Sequence, residues 1–285
     1  MLPSRAVELR IATCRPLPEP DHDEDLLVEA LVRAGVCPHM AAWHDPDEAW
    51  DEPIPTVIRS TWDYIHDVER FGQWTREVAG PLWNPAGAIA ENTHKRYLLG
   101  LAAAGIPVTP TALVPRGPGE LADVGRQQGW EDVVVKPAVG ASSFGTLRCQ
   151  VDDPAGQVHM ERLLGSTDVL VQPYLTSVDG TGERALVWID GEFTHAVRKT
   201  PRFSGGEEHV SDAIPIADDE RALGERVIAH VAGELLYARV DIARDAEGAP
   251  MVMELELIEP SLFLLQHPPA LDRLVGGIVR RLESV

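Results

Sequence analysis

The 285-residue chain reads as an α/β protein. Two observations carry this: strand and helix signals alternate over the first third, and apolar hairpins with turn residues at their tips dominate the last third. Glu8 to Thr13 reads as a strand, followed by a helix from Asp23 to Ala34 in which Leu27, Ala30, Leu31 and Ala34 share one face. A strand over Thr56 to Thr61 and a helix over Val68 to Val78 continue the alternation, giving a small parallel α/β unit that ends near Pro85. A helix from Thr93 to Ala104 stops at Gly105 and Pro107. Strands at Val133–Val135 and Val169–Val171 flank a helix from Pro154 to Leu164. Arg184 to Ile189, Asp190-Gly191 and Glu192 to Lys199 spell a two-residue hairpin. Arg239 to Ala243 and Met251 to Ile258 form a second, looser one, with helices over Asp219 to Gly233 and Ala270 to Arg281 around it.

Lys and Arg total 25 against 45 Asp and Glu, a net charge of −20. That surplus repels phosphate backbones and anionic lipid, so neither nucleic acid nor membrane is the expected partner. No stretch reaches the roughly 18 apolar residues of a spanning helix. Arg5, Glu8 and Arg10 break any leader-like apolar run. Cys14, Cys37 and Cys149 are odd in number and widely spaced, so reduced thiols in a cytoplasmic protein are expected, without disulfide or structural zinc.

The hairpins carry the chemistry. With symmetric turns, Asp241 faces Glu254 and Arg239 faces Glu256, so four charged residues share one face. Three crowded carboxylates suit Mg²⁺ with phosphate, and Arg239 suits a phosphate oxygen or oxyanion. The same pattern also fits a half-solvated strand with a surface ion pair. A two-residue turn at Asp190-Gly191 sets Glu183 opposite Arg198. Arg198 and Lys199 point to opposite faces, and Arg198 is the preferred site residue because it shares a face with Glu183; a plain cross-strand pair is the alternative. Lys136 closes an apolar strand beside a Gly/Ser loop containing Ser142 and Ser143, where backbone N–H groups can converge on phosphate. Lys95 opens a helix after Asn92-Thr93. Arg59, Ser60, Thr61 and Asp63 follow a parallel strand, where open α/β sheets bind ligands, and are candidates for gripping substrate; a domain-interface salt bridge is the other reading of Arg59. Trp62 and Tyr64 read as core or pocket wall, Glu259 and Ser261 as substrate-orienting. His94, His195 and His209 read as solvated or core histidines, and Trp43, Trp50, Trp74, Trp83 and Trp130 as packing.

In order along the chain, Asn92-Thr93-His94-Lys95, Val134-Val135-Lys136-Pro137 with its Gly/Ser loop, Val169 to Leu175, Ala238-Arg239-Val240-Asp241 and Met253-Glu254-Leu255-Glu256 resemble the ATP-grasp superfamily over about residues 90–265. The thirteen residues from Asp241 to Glu254 match the spacing of D-alanine–D-alanine ligases. Arg59 to Tyr64 and Glu254 to Ser261 are similar to the glutathione-synthetase-like branch, within it the D-cycloserine synthetase type. The resemblance implies an N-terminal pre-ATP-grasp domain over 1–90 and two α+β subdomains, 91–175 and 176–285, clasping a nucleotide. It implies that Lys95 and Lys136 contact ATP phosphates, with Ser142 and Ser143 on the covering loop. Gln172, Pro173 and Leu175 would line the adenine, and Glu183 would reach the ribose or pair with Arg198. Asp241, Glu254 and Glu256 would hold Mg²⁺, with Mn²⁺ as an alternative; the last position is commonly Asn in the family, so a glutamate here adds charge. Arg239, with Arg198, would serve catalysis. The activity implied is an ADP-forming carboxylate–amine ligation through an acylphosphate on a small amino-acid-like substrate, in the cyclo-ligase version O-ureido-D-serine. A two-substrate peptide ligase and an ATP-binding module without turnover are the rival readings, and a homodimer is one option for assembly.

Overall fold

The computed structural model describes residues 7–141, 144–180, 182–200 and 209–285. β1 (Val7–Thr13) alternates little because it is central: it pairs in parallel with β2 (Val36–Ala42) on one side and β3 (Thr56–Ile58) on the other, and β4 (Leu82–Trp83) adds to β3, giving the order β2-β1-β3-β4. Helix α1 (Glu24–Arg33) joins β1 to β2, and a 3-10 turn (Trp62–His66) leads into α2 (Val68–Glu77). The parallel N-terminal unit is therefore as expected, but β2 goes beyond the sequence reading: Pro38 and His39 lie on an edge strand whose burial is broken. The strand expected over Thr56–Thr61 ends at Ile58, although Arg59 N and the Ser60 carbonyl still bond Ala12 and Cys14, while the Arg59 side chain reaches the distant Pro260 carbonyl. The helix expected over Thr93–Ala104 begins only at Tyr97, as α4 (Tyr97–Ala103), and a separate helix, α3 (Ala86–Asn92), precedes it, so Lys95 lies in the bend between the two and its N–H donates to the Ala138 carbonyl at 2.7 Å.

The middle of the chain forms an antiparallel sheet ordered β5-β8-β6-β7 from β5 (Ala112–Val114), β6 (Asp132–Pro137), β7 (Leu147–Gln150) and β8 (Val169–Pro173). Helices α5 (Leu121–Gln128) and α6 (Pro154–Leu164) cover it, with Leu121, Val133, Val135, Met160 and Val171 as its core, and α7 (Ser177–Gly180) leads out of it. Gly156 on α6 is required by packing, because a Cβ there would lie 2.6 Å from Cys149 Sγ.

The last sheet is ordered β10-β9-β11-β12 from β9 (Glu183–Ile189), β10 (Glu192–Lys199), β11 (Tyr237–Arg244) and β12 (Pro250–Glu256), with α8 (Asp218–His230) and α9 (Pro268–Leu282). The β9–β10 turn takes left-handed φ at Asp190 (44°) and Gly191 (102°), and Arg280 and Arg281 of α9 hold the Asp190 carboxylate. One face, with Leu186, Ala196, Val240, Ile242 and Leu255, packs on α4 and α8. Val187, Ile189, Val197 and Tyr237 on the other face pack with α9, α1 and the first sheet. The far end of this second face is left for charged side chains. Asn84 stitches the sheets, donating to the Tyr237 and Leu257 carbonyls at 2.8 Å each and accepting from Leu236 N.

Candidate active site

β11 and β12 pair Arg239 with Glu256 and Asp241 with Glu254, the register expected from the turn. A bulge follows Asp241 and leaves this part of the ladder intact. Because Val240 and Leu255 face the α4–α8 core, the four charged residues face the other way. β12 is an edge strand, and its outward backbone is tied down by side chains. Asn92 donates to the Leu255 carbonyl and accepts from Leu257 N, both at 2.9 Å, while Tyr97 accepts from Leu255 N at 3.1 Å. These bonds fix the roll of the strand and so aim Glu254 and Glu256 into the cleft.

Every acid of the hairpin is matched by a base. Asp241 takes Arg239 Nε at 2.8 Å and Lys199 Nζ at 2.7 Å. Glu254 faces Lys95 at 2.6 Å and Lys136 at 3.9 Å, and Glu256 meets Arg239 Nη2. Lys199 also reaches Glu183 at 2.5 Å, and Lys95 donates to the Gly140 carbonyl at 2.8 Å. Burial opposes ionisation, but Lys95 and Lys136 hold the Glu254 carboxyl down at about 2, and Arg239 and Lys199 hold Asp241 well below the carboxylate range. Burial wins at Glu183, pushed up to about 7, and at Glu256, pushed up to about 8. Burial lowers Lys136, whereas at Lys95 the charge and hydrogen bond of Glu254, together with Glu256 and Glu259, outweigh it and raise the value.

Among the described residues no three acidic, His or Cys side chains converge as an open metal cage. The donor chemistry nevertheless fits a hard divalent ion: Asp241, Glu254 and Glu256 offer carboxylate oxygens on one face, each now held by a cation that a phosphate could draw away.

The β9–β10 register corrects the sequence reading. A bulge between Phe193 and His195 adds one residue to β10, so Glu183 faces Lys199, and Arg198 faces Arg184. One extra residue exchanges the two faces. Lys199 therefore enters the cleft, while Arg198 points to the opposite, solvent face, its side chain lying over Gly182 and beside Ser211 and Ile214. Glu183 accordingly pairs with Lys199 and not with Arg198.

Lys136 at the end of β6, Gln172 and Pro173 at the end of β8, and Leu175 line the cleft beside Val134, Met253 and Leu255. Gln172 Nε2 donates to Thr111 Oγ1 at 2.8 Å, which fixes its amide. Ser142 and Ser143 lie outside the described residues; their neighbours Gly140, Ala141 and Phe144 border the cleft.

The N-terminal motif is also repositioned. Arg59, 4% exposed, donates to the Pro260 carbonyl at 3.0 Å and lies 5.3 Å over the Tyr237 ring. Ser60 and Thr13 share a hydroxyl hydrogen bond of 3.2 Å, Thr61 is buried, and Asp63 holds Trp43 Nε1 at 2.6 Å and His44 Nε2 at 3.1 Å. Among the described residues none of these four lines the cleft, nor is Arg59 in a salt bridge; Arg59, through the Pro260 carbonyl, positions the segment carrying Glu259 and Ser261, which do line it. The N-terminal walls of the cleft are Trp62, Tyr64 and Glu19. Lys199 is weighed from sequence and passed over for Arg198, while Tyr97 and Glu19, which no motif marks, are not singled out. His94 bonds Asp168 at 3.2 Å, and His195 is buried against the His267 ring at 4.7 Å, both outside the cleft.

Known proteins place this geometry. Residues 9–84 match the family described as the N-terminal domain of the D-cycloserine synthetase DcsG. The cycloserine biosynthesis protein DcsG of Streptomyces lavendulae is 33% identical over 284 residues, covering 92% of this chain and 95% of that one. The crystal structure of D-cycloserine synthetase DcsG superposes with a TM-score of 0.88 at 32% identity, covering 96% of this chain and 99% of that one. The ATP-grasp ligase PsnB, complexed with a precursor variant, Mg and ADP, shares the fold with a TM-score of 0.63 at 18% identity, covering 96% of this chain and all (100%) of that one. Among the described residues no helix is long and apolar enough to cross a membrane. The chain belongs to the D-cycloserine synthetase family of the ATP-grasp superfamily and is an ATP-dependent ligase that forms C–N bonds.

Proposed function

We propose that the enzyme activates the carboxylate of one small amino-acid-like substrate with Mg²⁺-ATP and lets a nitrogen of the same molecule close a ring, as in the conversion of O-ureido-D-serine to D-cycloserine, in which the C–N bond to the ureido carbamoyl group is also cleaved by water, releasing CO₂ and ammonia. The observation that carries the reading is the set of four cations, Lys95, Lys136, Lys199 and Arg239, held on the acidic hairpin at one cleft. Phosphoryl transfer needs charge neutralisation and alignment more than a protein nucleophile, and this cluster supplies both. The similarity to the Streptomyces lavendulae protein supports the cyclising version.

In this reading Lys95 and Lys136 leave Glu254 for phosphate oxygens, and the freed Glu254 carboxylate, with Asp241 and Glu256, would hold the divalent ion, Mg²⁺ or Mn²⁺. The ion adds charge neutralisation at the transferred phosphoryl group. Gln172, Pro173 and Leu175 bind the adenine, Glu183 the ribose, and Ser142 and Ser143 belong to the loop over the phosphates. Arg239, anchored by Asp241, steadies the charge that develops on the acyl oxygen when nitrogen attacks the acylphosphate carbon and phosphate departs. Residues 1–90, 91–175 and 176–285 act as three domains around this cleft, and the reduced thiols suit the cytoplasm.

ADP release with O-ureido-D-serine as sole organic substrate, with D-cycloserine identified by mass, tests the proposal. Turnover only with mixtures of two amino acids would replace it with the peptide-ligase reading.

A further inference from the structure

The cleft acids Glu183, Glu254 and Glu256 each have a lysine or arginine partner. Glu259 differs. It is 8% exposed and lines the cleft, yet among the described residues its carboxyl has no ion-pair partner and no hydrogen-bond donor from another residue.

Its position is not loose. Trp62 Nε1 donates to the Glu259 carbonyl at 3.1 Å, and Arg59 Nη2 to the Pro260 carbonyl at 3.0 Å. Arg239 Nη1 donates to the Ser261 carbonyl at 3.3 Å. Buried Asp23 accepts from Leu262 N at 3.2 Å and Leu264 N at 2.9 Å. Four side chains from three parts of the chain thus fix the backbone on either side of this carboxyl, while the carboxyl itself holds nothing. Burial pushes its value up to about 7, which is the penalty of a charge without a counter-ion. Trp62 and Tyr64 line the cleft with it. A buried carboxylate in a cleft that indole and phenol rings also line is a seat for a compact organic cation. Arg239 donates to the carbonyl of Ser261, two residues on, so the seat adjoins the phosphate-handling cations.

We propose that Glu259 is the specificity-determining residue that seats the protonated amine of the substrate, so that the enzyme selects carboxylates bearing an ammonium group close to the carbon to be activated. The inference rests on the carboxylate-activating reading above and adds the part of the substrate that the phosphate cations leave unread. Arg239 and the phosphate-binding lysines take the acyl end and Glu259 the amine end. The Arg59–Asp63 motif enters this recognition by positioning, through Pro260, and not by touching substrate.

The test is direct binding by calorimetry to the full chain loaded with Mg²⁺ and a non-hydrolysable ATP analogue. The probes are O-ureido-D-serine, D-serine and D-alanine, with their des-amino counterparts 3-(ureidooxy)propanoate, 3-hydroxypropanoate and propanoate. The wild type is expected to prefer the amine-bearing member of at least one pair by about 100-fold, in line with a desolvated charge pair. Glu259→Gln should reduce that preference to within about threefold while nucleotide affinity stays within about twofold. Should Glu259→Gln fail to fold, Glu259→Asp is read instead: it should keep the preference at an affinity lowered about tenfold. An unchanged preference in Glu259→Gln, unchanged affinity in Glu259→Asp, or a wild type that prefers no amine-bearing member overturns the inference. Absence of turnover with O-ureido-D-serine counts against the cyclising reaction instead, because the binding panel reads Glu259 without chemistry.

Discussion

Replacing Lys199 with Met should damage both stability and activity, whereas the same change at Arg198 should do neither. Lys199 lies between Glu183 at 2.5 Å and Asp241 at 2.7 Å and is 8% exposed. Its removal leaves the half-buried Glu183 without its cation, facing buried Asp241, which keeps Arg239. Breaking a buried ion pair from one side costs about 3–5 kcal/mol. Glu183, with its value already raised to about 7, relieves part of this by taking a proton, so the lower end, about 3 kcal/mol, is expected near neutral pH. Arg198 is exposed on the opposite face of β10, where substitutions stay within about 0.5 kcal/mol. Urea unfolding of both variants reads the stability, and ADP release reads the chemistry, with Lys199→Met expected to lose about 100-fold or more because a cation facing the phosphates is gone. Loss of turnover in Arg198→Met together with retention in Lys199→Met would refute the bulged register and the cation count built on it.

Asn92→Leu leaves the Leu255 carbonyl and the Leu257 N–H unpartnered at the β12 edge, so about 2–3 kcal/mol of stability should be lost in urea, and a neutral result would contradict the role given to this edge. Burial and the neighbouring His267 lower the His195 value to about 4, so the folded state disfavours the proton that the unfolded chain binds below about 6.5. His195 thus contributes stability that is present at neutral pH and falls by about 2 kcal/mol as pH drops to about 5, and His195→Gln should flatten that part of the stability curve. Cys14 and Cys149 are buried and Cys37 is exposed, so a thiol reagent should label one cysteine in the native protein and three in denaturant. More than one rapidly labelled thiol in the native state would contradict the packing of Cys14 and Cys149.

The parallel N-terminal sheet was legible because Leu9 and Ile11 on the strand and Leu27 and Leu31 on the helix report burial by local periodicity. The acidic hairpin was legible through a compensation: beside the turn Arg244 faces Pro250 and Ile242 faces Val252, one residue off the symmetric count, and the bulge after Asp241 restores the expected partners of Asp241 and Arg239. The same count failed at Lys199, because the β10 bulge precedes it and nothing in Phe193-Thr194-His195 announces one. Arg59, Ser60 and Thr61 misled for another reason. Polar residues after a parallel strand usually meet ligand, but here Arg59 meets the carbonyl of Pro260, two hundred and one positions away, a contact that no local pattern encodes. Lys95 shows the milder case: its role at the cleft was readable, while its place in a bend between two helices depends on a bond to Ala138 of the middle sheet.

Nucleotide binding requires cations that trade carboxylates for phosphates. The most direct measurement is a crystal structure with Mg²⁺ and a non-hydrolysable ATP analogue. Lys95 and Lys136 should then contact phosphate oxygens, and Glu254 should leave Lys95 for the metal. A nucleotide bound elsewhere, or a Lys95–Glu254 pair still closed at 2.6 Å beside a bound triphosphate, would contradict this exchange.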